Sequence, residues 1–119
     1  MRQMATAASP IDPATRKATS AFLSLIAARY NIAGALLYGS RARGDHTPES
    51  DADVAVLLNG AKGQTAKVAV DMAATEFDVM LDTGVLVSAM PIWLEDWEHP
   101  ERHSNPYLLA NIRREGVPL

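Results

Sequence analysis

A chain of 119 residues, 48% hydrophobic and 21% charged, fits one globular domain with a modest core and excludes a disordered tether. A formal net charge of −3 argues against docking on nucleic-acid phosphates. The lack of cysteine removes disulfides, thiolate catalysis and cysteine-ligated zinc, and no apolar run approaches the ~20 residues of a bilayer span. A cytoplasmic protein with no membrane partner, and with nucleic acid not an expected one, is the reading that follows.

Residues 1–11 are rich in Ala, Ser and Thr, faintly like a transit peptide, but a flexible tail is the simpler expectation. Asp12-Pro13 reads as a helix cap and first position, and apolar residues at helical spacing carry that helix to about Tyr30. "IAGALLY" is a short strand ending at Gly39, followed by the turn-rich "GSRARGDHTPES" and a second strand, "DADVAVLL", closed by Asn59-Gly60. A helix is predicted from about Gln64 to Leu81, on a stripe of Val68, Met72, Thr75 and Val79. "VLVSAM" is a third strand that Pro91 should end. The segment "PIWLEDWEHPERHSNP" reads as a loop with one helical turn, and Asn105-Pro106 opens a last helix that Gly116 stops. The order predicts an α/β (α+β) domain over 1–119, with a small mixed β-sheet flanked by helices, the core over 13–90 and a loop and C-terminal helix over 91–119.

Two carboxylates at the mouth of an apolar strand need a reason. Residues i and i+2 of a strand share a face, ~6.5–7 Å apart, so Asp51 and Asp53 point the same way. Brought to ~4 Å, two such charges repel by about 4 kcal/mol at an effective dielectric of 20. A divalent cation turns that repulsion into binding, and hard oxygen ligands suit Mg2+ or Mn2+, which also takes substrate phosphates. At the end of the preceding strand, Gly39 permits close backbone approach and Ser40 adds a hydroxyl. "RARG" is read as a short helix whose first amides face an anion, with Arg41 and Arg43 adding positive charge. Cradle and carboxylates together describe a site for a nucleoside triphosphate and its metals.

Gly39-Ser40, ten intervening residues and Asp51-x-Asp53 resemble the GSx10DxD signature of the minimal nucleotidyltransferases (MNT), within the DNA polymerase beta superfamily. "ARG" at 42–44 and "SDAD" at 50–53 also match that local pattern, and the close likeness spans residues 32–60. The resemblance implies an MNT fold, with Asp51 and Asp53 as catalytic, metal-holding residues, Mg2+ or Mn2+ as cofactor, and Gly39, Ser40 and Arg43 binding the nucleotide. It implies transfer of a nucleoside monophosphate, AMP from ATP, to an acceptor hydroxyl with loss of pyrophosphate. Small MNT proteins pair with HEPN-domain RNase toxins, so the resemblance points to a toxin–antitoxin system with a HEPN-type partner as acceptor. The alternative it leaves is a weak or inactive MNT antitoxin or regulatory subunit that acts by contact.

One element of the family pattern is missing. Catalytic members add a third carboxylate from a later strand, and "VLVSAM" offers only Ser88; Asp82, Glu95, Asp96, Glu98 and Glu101 are the nearest alternatives. Trp93 and Trp97, spaced i, i+4, are expected to share a helical face covering the core edge. His99 and His103 have zinc-like spacing, but Pro100 between them favours a solvated loop.

Overall fold

The computed structural model describes residues 11–119, so the tail expected over 1–11 lies outside the described residues except for Ile11. Helix α1 spans Pro13–Ala27, capped by Asp12, whose carboxylate accepts the Thr15 amide at 3.2 Å. Strand β1 (Ile32–Tyr38) leads into a one-turn helix α2 (Ser40–Arg43), and β2 covers Ala52–Leu58. Helix α3 (Thr65–Thr83) ends at Gly84, whose φ of 82° is the left-handed geometry that stops a helix. Then follow β3 (Val87–Trp93), α4 (Leu94–Glu98), a 3-10 turn over Pro100–Arg102, α5 (Pro106–Glu115) and a two-residue strand β4 (Val117–Pro118). Among the described residues, no helix is long and apolar enough to cross a membrane.

The four strands form one mixed sheet in the order β3-β2-β1-β4, with β1 antiparallel to β2 and β4, and β2 parallel to β3. The crossover from β2 to β3 runs through α3, as a parallel pair requires. On one face, α1 and α3 bury Phe22, Ile26, Leu37, Val54, Val56 and Met72. On the other, α5 sets Leu109 and Ile112 against Ala55, Leu57 and Ile92. This α+β architecture, a small mixed sheet flanked by helices, is the one expected.

The structure departs from the predicted elements in four places. The first helix stops at Ala27 rather than near Tyr30. The third strand passes through Pro91 instead of ending there, because β3 lies at the sheet edge. Residues 87, 89, 91 and 93 turn their backbone away from β2, so the amide that Pro91 lacks costs the ladder nothing. The stretch after it holds α4 and the 3-10 turn, and β4 follows Gly116, too short to carry an alternation signal. Finally, Trp93 and Trp97 do not share a face. Trp93 ends β3 and packs on the α1/α3 side, whereas Trp97 lies in α4 on the α5 side, with the Arg113 guanidinium 4.1 Å from its ring centroid.

Arg41 is a structural residue. It is 2% exposed and donates to the Ser50 carbonyl at 2.9 Å, the Pro48 carbonyl at 3.1 Å and Thr15 Oγ1 at 2.8 Å. Its guanidinium fork thus ties the β1–β2 linker to α1 and fixes the residue immediately before Asp51. Arg41→Ala strands these buried acceptors, so we expect a loss of about 2–4 kcal/mol in urea denaturation with an unchanged m-value. Arg41→Lys should recover little of it, since an ammonium cannot reach three diverging acceptors.

Candidate nucleotide site

The site forms where β1 ends and β2 begins. Register places Tyr38 opposite Asp53 across the antiparallel pair, and Ser88 opposite Asp53 across the parallel one. Asp53 is therefore the middle of three side chains on one face, each from a different strand. Gly39 touches it: a β-carbon built at Gly39 would overlap Asp53 Oδ2 and lie 3.4 Å from Asp53 Cγ. The glycine adopts φ 77° and ψ −157°, a region that L side chains avoid. The Gly-Ser corner and Asp53 are thus packed together, with Asp51 exposed just before β2 begins.

Charge confirms the crowding. Burial holds the Asp53 carboxyl above the usual carboxylate range, the charge of Asp51 raises it further, and Arg43 opposes both. Burial, and then Asp53, push the Tyr38 phenol up to about 12. Arg43 stands close enough to act on Asp53, while its guanidinium also meets Asp45 at 3.2 Å and Glu115 at 3.4 Å. Ser40 opens α2, and its carbonyl accepts the Gly44 amide at 2.8 Å. The Ala42 and Arg43 amides both donate to the Gly39 carbonyl at 3.1 Å, so the amides of Ser40 and Arg41 are the ones with no carbonyl a turn behind them. Arg41 is the sequence-predicted cation that does not belong here; its charge is spent inside the linker.

Among the described residues, no group of three or more His, Cys, Asp and Glu side chains is arranged to hold a metal. The two aspartates provide hard oxygen donors that a Mg2+ or Mn2+ ion would need phosphate and water to complete.

Of the later acids, Glu95 and Asp96 belong elsewhere. Glu95 accepts the Lys62 amide at 2.9 Å, and buried Asp96 meets Lys62 Nζ at 2.8 Å. Because β3 runs parallel to β2, residues after Trp93 emerge beside Leu58, about 16 Å along the sheet from Asp53. Glu98 and Glu101 follow them on that side, and Asp82 is exposed near the end of α3. The acid that does approach is Glu76 of α3. Its Oε2 accepts the Ala89 amide at 3.2 Å. Burial raises its pKa, that bond lowers it, and the charge of Asp51 raises it. Glu76 lies in a helix, away from the position where the family pattern puts a third acid, so only its i+4 relation to buried Met72 hinted that it turns inward.

His46 meets the α1 cap, with Nε2 3.3 Å from Asp12 Oδ1. His99 approaches Glu101 at 3.6 Å and His103 accepts the Asn105 amide at 3.0 Å, so they form no pair.

Residues 23–89, from the end of α1 through the first part of β3, match the family model described as polymerase beta, nucleotidyltransferase. The chain belongs to the polymerase beta nucleotidyltransferase family. Its fold is similar to that of a candidate nucleotidyltransferase from Sulfolobus solfataricus seen in a crystal structure. The two share 18% identity at a TM-score of 0.50, over 98% of this chain and 90% of the other. No curated protein matches the sequence significantly. The matched region of this nucleotidyltransferase domain contains Gly39, Ser40, Asp51, Asp53 and Glu76, and stops before the acids at 95–101.

Proposed function

We propose that this nucleotidyltransferase carries AMP from ATP to a hydroxyl of a partner protein, of the HEPN type, in a metal-dependent reaction. The observation that supports the reading is the close packing of the Asp53 carboxylate against the Gly39 backbone, which brings the Gly-Ser corner and the second aspartate of the Asp-x-Asp pair together. In this reading Asp51 and Asp53 hold Mg2+ or Mn2+, which when bound neutralises phosphate charge and supports in-line displacement. The Ser40 hydroxyl and the first amides of α2 bind the triphosphate, and Arg43 adds charge beside it. Tyr38, kept protonated by burial, is a neutral wall next to Asp53. The acceptor oxygen attacks the α-phosphorus, the bond to pyrophosphate breaks, and the acceptor proton leaves to a nearby base, with Glu76 the available carboxylate.

A second reading is supported by Ser88. It occupies the register position directly across from Asp53, where a hydroxyl cannot replace a third carboxylate. A chain built this way would bind nucleotide and neutralise its partner by contact while transferring slowly.

Labelled ATP, Mg2+ and a HEPN-domain partner separate the two. Label on the partner that requires Mg2+ supports transfer; a tight complex without label supports the contact role. Ser88→Asp should raise the transfer rate by at least about 10-fold if the missing acid limits catalysis. An unchanged rate would mean that Glu76 already serves.

A further inference from the structure

The outer face of α3 carries an apolar ridge that no other described element covers. Val70, Phe77 and Leu81 are 74%, 54% and 68% exposed, and Ala74 between them is exposed as well. Their 4-3-4 spacing is that of a helix-pairing seam, and it lies opposite Met72, Thr75 and Val79, which face the core.

The charges along the ridge decide what fits it. Lys67 stands near its start, and Asp78 and Asp82 near its end, all three exposed. Asp71 is already engaged by Arg29 and Tyr30. We propose that a second copy of this chain covers the ridge, the two α3 helices packing antiparallel about Ala74. In that register the small alanines meet at the two-fold axis, which allows close approach. Val70 packs beside Phe77 of the other copy, and Lys67 comes level with Leu81 and Asp82. A parallel pairing would instead set Asp78 against Asp78. A surface whose two ends are oppositely charged about its own centre is complementary to itself, as an isologous interface must be.

One helix ridge falls short of the ~800 Å² per partner of a standard interface, so the dimer forms in a concentration-dependent way. Sedimentation equilibrium of the full chain, from about 1 to 500 µM, reads it directly. The wild-type chain should shift from monomer to dimer across that range. Phe77→Asp should weaken association at least about tenfold, as expected for a central anchor, with its melting temperature kept because the side chain is exposed. Lys67→Glu should also weaken it, and Lys67→Glu with Asp82→Lys should restore it. The proposal is overturned by a chain that stays monomeric throughout, even one that captures a helical partner through Phe77. It is equally overturned by a dimer indifferent to Phe77→Asp, or by a charge reversal that fails to rescue.

Discussion

Asp53→Asn is expected to lower nucleotidyl transfer by at least about 10²–10³-fold, the scale on which single preorganised electrostatic groups act in catalysis. The substitution preserves shape and removes charge from the one carboxylate that the Gly39 backbone packs against. The same change should leave the ligand-free fold no less stable. Burial and Asp51 raise the Asp53 pKa in the folded state. Its favourable contribution to folding is therefore full below the unfolded carboxylate range and lost as pH rises through the raised value. At neutral pH the ionised side chain is a burden that Asn lifts. A calorimetric scan near pH 7 should show an equal or higher melting temperature for the variant without metal. Under the proposed reaction, Mg2+ with ATP should raise the melting temperature of the wild type and not that of Asp53→Asn. Wild-type transfer rates in the variant, or a lowered melting temperature, would sink the assignment.

Gly39→Ala should damage both fold and site. The position has φ 77°, which strains any L side chain by about 1–3 kcal/mol. The added methyl also meets Asp53 Oδ2, so either the strand end or the carboxylate must move. We expect a total destabilisation of about 2–4 kcal/mol in chemical denaturation. Nucleotide affinity should fall too, even where the variant is fully folded, because the displaced group is the aspartate. Gly44→Ala is the control: it shares a positive φ of 84°, but nothing lies within 4 Å of its β-carbon position. It should lose stability without losing affinity. Equal loss of affinity in both variants would mean that Gly39 matters only for its backbone angle.

What could be read from the sequence was what is local. The strands around Gly39 and Asp53, the caps at Asp12 and Asn105 and the turn at Ser40 all lie within a few residues of the signals that specify them. Three features depended on partners distant in the chain. Arg41 looks like a phosphate-facing cation until Thr15, 26 residues earlier, is seen to hold it. Glu76 looks like a solvated helical acid until the Ala89 amide, 13 residues on, is seen to hold it at the edge of β3, where the charge of Asp51 acts on it. The acids after Trp93 look adjacent to the site in sequence, and the parallel direction of β3 carries them to the far end of the sheet.

The border that β3 presents to solvent has a consequence for how this chain survives at high concentration. At residue 89 the outward amide is capped by a carboxylate, and at residue 91 there is none. An incoming polypeptide therefore finds no run of successive donors along that rim, and fibril-like growth from it has no template.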